Sequence, residues 1–137
     1  ILAVSYIFNT PVAHTNVIPL RHIPFEEHDL FIPKKLWNIK EERWFTFSEI
    51  INSGMDIWTN AEWFKNAGVQ VIENTAEEIL DLAKEMQARL DGDWVATEEN
   101  EHLQRRFKSL FPPSHHCHGF PSRIGADFLR KNIGLLE

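Results

Sequence analysis

Four prolines, at positions 11, 19, 24 and 33, interrupt residues 8–37 and constrain the fold more than any other feature of the sequence. Each proline fixes its own φ angle and disfavours helical geometry in the residue before it, so no long helix can form here. The run between Pro11 and Pro19, VAHTNVI, predicts a short buried strand that leads into a long loop. A proline-rich surface loop without a binding role is the alternative interpretation.

This proline-rich stretch also concentrates polar side chains. Open α/β sheets bind ligands where their strands end, so the end of the predicted strand is a candidate ligand site. The polar residues concentrated in the stretch include His14, Thr15, Asn16, Arg21, His22, His28, Asp29, Lys34 and Lys35.

Size and charge exclude several classes of protein. A chain of 137 residues with 43% hydrophobic and 25% charged residues is typical of one globular domain, 1–137. The net charge of −6 argues against general nucleic-acid binding. The single cysteine, Cys117, excludes an internal disulfide and favours a reducing, cytoplasmic location. The apolar run 1–8 is too short to span a membrane, so we expect no membrane span.

Capping residues predict where the helices begin. Thr46 and Thr75 each precede a glutamate by three residues, which is the pattern of a capping box. Asn60 and Thr97 are further candidate N-caps, and Ser122 is expected to open a last helix. The helix after Thr75 has the clearest periodicity, and its predicted buried face comprises Ile79, Leu82, Ala83, Met86 and Leu90.

The order of the elements predicts an α/β fold. A β-branched run at 69–73 predicts a second strand, whereas residues 1–8 could be a strand or the end of a helix. Few strands followed by several helices suggest a partial Rossmann-like C-terminal subdomain. Because the sequence does not begin with Met, we expect it to be part of a larger protein.

Two polar clusters suggest a metal or nucleotide site, but their spacing argues against both. Residues 115–118, His-His-Cys-His, include good zinc ligands, yet adjacent side chains cannot all turn toward one ion. Residues 91–93, Asp-Gly-Asp, match the acidic pattern of metal-dependent sugar transferases but fall where a helix is expected to end at Gly92. Phosphate-binding glycine loops and zinc-protease motifs are absent from the sequence, and we expect neither cofactor nor metal.

Several phrases in a fixed order carry a resemblance that spans nearly the whole chain. They are NTPVAHTN, DLFIPKKLW, TFSEI, NTAEEILDLAKEMQARLDGDW, TEENEHLQRRF and RIGADFLRKNIGLL. Together they resemble the C-terminal part of a bacterial glycosyltransferase family from surface-polysaccharide loci, whose members are mostly named by similarity. The resemblance implies a two-domain transferase with facing Rossmann-like halves, of which the C-terminal half binds the nucleotide-sugar donor. An N-terminal domain would then bind the carbohydrate acceptor.

The resemblance assigns no catalytic residue to this chain, so we expect the chain alone to be inactive. For the donor we expect Thr15 and Asn16 to bind hydroxyl groups. Lys34, Lys35 or Arg123 would offset the diphosphate charge, because oriented cations do this well in a water-poor cleft. His14 is a candidate acid or base. The expected substrate-binding residues are His14, Thr15, Asn16, Asp29, Lys34 and Arg123.

The alternative function is a small, non-catalytic binding or protein-interaction domain. Six aromatic side chains could form a partner surface in that case, although core packing is the usual role of such residues. They are Trp37, Trp44, Phe45, Phe47, Trp58 and Trp63.

Overall fold

The computed structural model describes residues 7–137 and shows a mixed α/β fold. Residues 1–6, and with them most of the run expected to be a strand or helix, lie outside the described part. The strands are β1 (Ala13–Val17), β2 (Leu30–Pro33), β3 (Lys35–Asn38), β4 (Arg43–Trp44), β5 (Val69–Ile72) and β6 (Arg123–Ile124). The helices are α1 (Phe47–Ser53), α2 (Ala61–Asn66), α3 (Ala76–Leu90), α4 (Glu98–Ser109) and α5 (Ala126–Lys131). Short 3-10 helices cover Leu20–His22, Met55–Ile57 and Ile133–Leu136.

The first sheet is parallel, in the order β1-β2-β6, and helices cover both of its faces. Phe31 of β2 points toward α4, where its ring centroid lies 6.1 Å from that of Phe107. Its neighbour Ile32 points to the opposite face, toward α3 and Gly125. All four residues of β2 are therefore buried, as in other parallel strands that are covered on both sides.

The second sheet is antiparallel, in the order β4-β3-β5. Only Lys34 separates β2 of the first sheet from β3 of the second. The sequence predicted β1 and β5 but not β2 or β3, because a four-residue buried strand shows no alternation of polar and apolar residues. The site described below lies at this junction between the sheets.

Most of the predicted helix starts are confirmed. Thr75 makes a complete capping box with Glu78, and Asn60 and Thr97 cap α2 and α4 through their side-chain oxygens. Thr46 caps α1 by accepting from the Glu49 amide, but the Glu49 carboxylate contacts Arg43 instead of completing a box.

The predicted start of the last helix at Ser122 is wrong. Ser122 is buried, and its hydroxyl donates to the carbonyl of Pro24. The helix α5 begins later, at Ala126, whose amide donates to Oε1 of Glu85 at 2.8 Å. A carboxylate from α3 therefore takes the place of a local N-cap, which favours a helix start through both hydrogen bonding and the helix dipole.

The predicted buried face of α3 is correct only in its centre. Leu82 and Met86 are buried, but Ile79 and Leu90 are 37% and 59% exposed. Ala83 is exposed too, while Glu85 is buried. The buried face is rotated toward Glu85 because that carboxylate binds both the start of α5 and Nε of Arg89, the latter at 2.9 Å.

An aromatic cluster fills the core between the parallel sheet, α1 and α4. The ring of Phe107 packs edge-on against those of Phe47, Phe111 and Phe120 at centroid distances of 5.0, 5.4 and 5.9 Å. Among the described residues, no helix is long and apolar enough to cross a membrane.

Candidate functional site

A groove of about 350 Å³ opens where β1 and β2 end, at the junction of the two sheets. Lys34, which follows β2, lies in this groove. We name it the carboxyl-edge groove, and its lining consists of Ile18, Pro19, His22, Lys34, Trp58, Thr59, Ala61, Phe64 and Val71. Its position is the one at which parallel α/β sheets usually bind their ligands.

Lys34 brings a positive charge to the carboxyl-edge groove. Its amide donates to the carbonyl of Val17 at 3.1 Å, which fixes Lys34 at the end of β1. The side chain is half-buried and makes no ion pair or hydrogen bond with any of residues 7–137. The ammonium of Lys34 is therefore available to an anionic ligand.

The neighbouring Lys35 is already engaged within the protein. Its Nζ lies 3.3 Å from Oδ1 of Asn132 and 3.9 Å from a carboxylate oxygen of Glu78. It also lies 4.7 Å from the centre of the Trp44 ring. Of the two lysines expected to bind a diphosphate, only Lys34 lies in the carboxyl-edge groove.

Aromatic side chains form the wall opposite β1. The Trp58 ring packs edge-on against Phe64 at 5.3 Å and against Trp63 at 6.5 Å. Trp63 is 49% exposed, next to the groove. A cation and an aromatic wall in one groove suit a ligand that has both an anionic group and a flat or apolar ring.

His22 lines the carboxyl-edge groove from the 3-10 helix Leu20–His22. Cys117 stabilises that helix, because its Sγ donates to the carbonyl of Arg21 at 3.2 Å. Burial raises the pKa of the Cys117 thiol to about 11, so the thiol stays protonated and remains a donor near neutral pH.

Asn16 has a structural role in place of the predicted ligand contact. The side-chain Oδ1 of Asn16 accepts from the backbone N–H of Asn74 at 2.7 Å, and the backbone N–H of Asn16 donates to Oδ1 of Asn74. Asn74 also donates to the carbonyl of Pro33 at 2.8 Å. This Asn16–Asn74 pair joins β1 to the segment after β5 and also fixes the end of β2, so Oδ1 of Asn16 already has a partner within the protein.

The side chains of His14 and Asp29 form a hydrogen bond near the start of the parallel sheet. Nε2 of His14 lies 2.8 Å from Oδ2 of Asp29, whose other oxygen accepts from the Val12 amide at 2.9 Å. Asp29 is 1% exposed, and its carboxylate contacts the His14 ring and a backbone N–H. Thr15, the next predicted residue along β1, is exposed.

The structure does not bring the six predicted residues together. Arg123 begins β6, and its amide donates to the carbonyl of Asp29, so both residues lie where the parallel strands start. Lys34 lies where those strands end. We expected the chain to fold back so that Lys34 approaches the end of the strand that carries Asn16, and it does, since the Lys34 backbone amide bonds the carbonyl of Val17. Asp29 instead lies at the opposite edge, because a parallel strand carries its two termini to opposite edges of the sheet.

The His-His-Cys-His loop separates its side chains. His115 contacts Asp56 with its Nε2 at 2.6 Å and accepts from the Cys117 amide with its Nδ1. His116 packs against Phe25, and His118 contacts the carbonyl of Phe111. Within residues 7–137 no group of three or more His, Cys, Asp or Glu side chains is placed to bind a metal.

The Asp-Gly-Asp segment ends α3 as expected. Asp91 is the C-cap and accepts from Gln87, while Gly92 has a φ of 76°, which favours glycine. The expected surface of six aromatic residues is not formed. Phe47 is in the core, Trp63 is exposed, and the other four are half-buried.

Sequence reasoning did not assign Trp58 or His22 to the site. Both are separated from Lys34 along the chain, and nothing local indicates that the segments meet. The prolines were the available signal, since Pro19 turns the chain after β1 and itself lines the groove. No protein-family model, no curated protein and no solved structure matches this chain.

Proposed function

We propose that this chain is the C-terminal, nucleotide-sugar-binding portion of a glycosyltransferase, and that the donor binds in the carboxyl-edge groove. The observation that carries the proposal is the ammonium of Lys34, which has no ionic or hydrogen-bond partner among residues 7–137 and lies at the ends of β1 and β2. A diphosphate there would gain charge-assisted hydrogen bonds, which are about twice as strong as neutral ones. The order of the sequence phrases supports the same family.

The aromatic wall supplies the second part of the argument. Stacking of a nucleobase on an aromatic side chain is typically worth about 1–3 kcal/mol. Trp58 and Trp63 offer such surfaces next to Lys34. In this proposal the diphosphate lies against Lys34 and His22, and the base lies along the aromatic wall.

The parallel sheet with helices on both faces supports a Rossmann-like subdomain in this proposal. Among residues 7–137 no hydrogen bond joins His22 of the groove to the hydroxyl of Thr59, so we assign donor binding to this chain and leave transfer to the full-length enzyme. We expect the chain alone to show no transferase activity. Turnover of a nucleotide sugar by the purified chain, abolished by a point substitution in it, would contradict this expectation.

Titration calorimetry with UDP-glucose and GDP-mannose tests the proposal. We expect Lys34→Ala to weaken binding of the preferred donor about tenfold, which corresponds to the loss of about one charge-assisted contact. Lys84→Ala, on the exposed face of α3, is the matched control and should bind as the unmodified chain does. Equal affinities of the two folded variants, or no binding of either donor, would contradict the proposal that the donor binds in the carboxyl-edge groove.

A further inference from the structure

A second and larger cavity lies at the opposite edge of the parallel sheet. It has a volume of about 490 Å³ and is lined by residues at the starts of the three strands, Pro11, Leu30 and Arg123. The C-terminal part of α3 and the segment after it close the cavity with Arg89 and Trp94. We name it the amino-edge cleft. It shares no lining residue with the carboxyl-edge groove.

Two arginines in the amino-edge cleft have spare hydrogen-bond donors. Arg89 uses Nε to contact Glu85 at 2.9 Å, and Arg123 uses Nη2 to contact Glu101. A guanidinium has five N–H donors, so each arginine retains several. Nε of Arg123 is buried and has no hydrogen-bond partner among residues 7–137. A buried donor without an acceptor is costly, and Arg123, which carries this donor, is one of the residues that line the amino-edge cleft.

The protein already holds both guanidinium groups in place. The Arg89 guanidinium lies 4.7 Å from the centre of the Trp94 ring, and Glu85 is itself fixed by the start of α5. Arg123 is fixed by Glu101 of α4. A ligand would therefore meet pre-ordered forks, the geometry that suits carboxylate and phosphate groups.

Carboxylates occupy the other end of the cavity. The amino-edge cleft continues, through Pro11, Glu27 and His28, into a smaller space of about 160 Å³ that Glu26 also lines. Glu26 and Glu27 are exposed acceptors and would repel a second anionic group. Hydroxyl groups of a ligand could donate to them, so the two ends of the cleft differ in the chemistry they favour.

We propose that the amino-edge cleft is a second binding site, for a hydroxyl-rich small molecule that carries one phosphate or carboxylate group. The anionic group contacts Arg89 and Arg123, and the hydroxyl groups face Glu27 and His28. This site is separate from the donor groove and does not depend on the proposed transferase function.

Nuclear magnetic resonance titration of the ¹⁵N-labelled chain tests this proposal with glucose 6-phosphate, glucuronate and glucose. We expect saturable shifts of the Arg123 Nε–H and Trp94 indole N–H signals with at least one anionic sugar, with Kd of about 1 mM or below. The stronger of the two identifies phosphate or carboxylate as the preferred group. Glucose should cause no saturable shift.

Variants of the chain separate this site from non-specific binding. Arg123→Gln should weaken binding about tenfold, and Arg123→Lys should weaken it too, because lysine keeps the charge but loses the fork. Arg105→Gln is the matched control, since Arg105 also pairs with a glutamate of α4 but lies on the surface. Glu27→Gln should weaken binding of the sugar without changing binding of inorganic phosphate.

Three results would overturn the proposal. They are no saturable shift with either anionic sugar, equal binding by a folded Arg123→Lys variant, and equal binding of glucose. Lys34→Ala should leave these titrations unchanged, so failure here and failure of the donor groove are distinguishable.

Discussion

The two edges of the parallel sheet carry cavities of different character. The amino-edge cleft is larger, but its arginines are held by Glu85 and Glu101. The carboxyl-edge groove is smaller, yet Lys34 there has no ionic partner among residues 7–137. The comparison teaches that the two edges offer different chemistry to a ligand: a single ammonium at the carboxyl edge, and guanidinium groups already held by carboxylates at the amino edge.

Each edge is also fixed by a polar contact of its own. The Asn16–Asn74 pair stabilises the carboxyl edge, and Asp29 stabilises the amino edge through His14 and Val12. In both cases a residue from the expected substrate-binding set bonds a backbone N–H of the protein. Substitutions that affect both edges, one edge or a single side chain should therefore have effects of different size on stability.

The largest loss of stability is expected from a substitution in the core under the middle of the sheet, which supports both edges. Leu82 is 2% exposed and packs under the middle of the sheet near Gly125. Leu82→Ala should lower the free energy of unfolding by about 2–5 kcal/mol, because it leaves a cavity in the core. Urea denaturation, monitored by tryptophan fluorescence, measures this change in the free energy of unfolding.

Ile79→Ala on the same helix is the matched control for Leu82→Ala. Ile79 was predicted to share the buried face but is 37% exposed, so its loss should cost less than about 1 kcal/mol. Equal losses for the two variants would contradict the rotated buried face of α3.

The next largest effect should be confined to the carboxyl edge. Asn74→Ala removes the Oδ1 that accepts from the Asn16 backbone N–H and the Nδ2 that donates to the carbonyl of Pro33, so both backbone groups lose their partner. The bond from the Asn74 backbone N–H to the Asn16 side chain remains. We expect a loss of about 2–3 kcal/mol in unfolding free energy. Asn66→Ala, an exposed position at the end of α2, is the control. A loss no larger than that of the control would mean that water replaces the Asn16–Asn74 pair.

A smaller effect is expected where Cys117 holds the wall of the groove. Burial raises the pKa of its thiol from 9.0 to about 11, so the folded chain should react with a thiol reagent at about pH 8 at least about a hundredfold more slowly than the unfolded chain. Timed labelling with and without urea measures this ratio.

The same pKa difference fixes the sign of a pH effect on stability. Between about pH 9 and pH 11 the unfolded thiol ionises while the folded thiol keeps its proton, so this contribution to stability falls as pH rises. Cys117→Ala should lack this contribution. Labelling of the folded chain at the unfolded rate would show that the wall carrying His22 opens freely.

The smallest effect should separate the two neighbouring lysines. Lys35→Ala loses contacts to Asn132, Glu78 and Trp44 and should cost about 1 kcal/mol. Lys34→Ala should change the free energy of unfolding by less than about 0.5 kcal/mol, because the Lys34 side chain makes no ion pair or hydrogen bond with residues 7–137. A larger loss for Lys34→Ala would identify Lys34 as a structural residue and weaken the donor-site proposal.

Local signals in the sequence predicted the local parts of the fold. The caps at Thr75, Asn60 and Thr97 depend on atoms two or three residues away, so a short window suffices to find them. Partners from elsewhere in the chain decided the rest. Glu85 is buried because it meets Ala126, which no periodicity of α3 can indicate.

The position of the carboxyl-edge groove was predictable from the sequence, but of its lining residues only Lys34 was among the expected substrate-binding residues. The prolines and the end of β1 pointed to the carboxyl edge, and Lys34 does lie there. Arg123 was misplaced because its edge depends on the direction in which β6 joins the sheet. Trp58 enters the groove only through the packing of α2 and β5, and its own neighbours in the sequence carry no sign of this.

The contact between Glu85 and Ala126 has a consequence for the order in which the chain folds. A helix of six residues such as α5 is too short to persist alone, and its first amide is bonded to a side chain 41 residues earlier. The two helices should therefore form one cooperative unit, with α5 ordering only after α3. Native-state hydrogen exchange should show amides of both helices opening together, and Glu85→Ala should release those of α5 first. Independent protection of α5 in that variant would show that its C-terminal segment folds without α3.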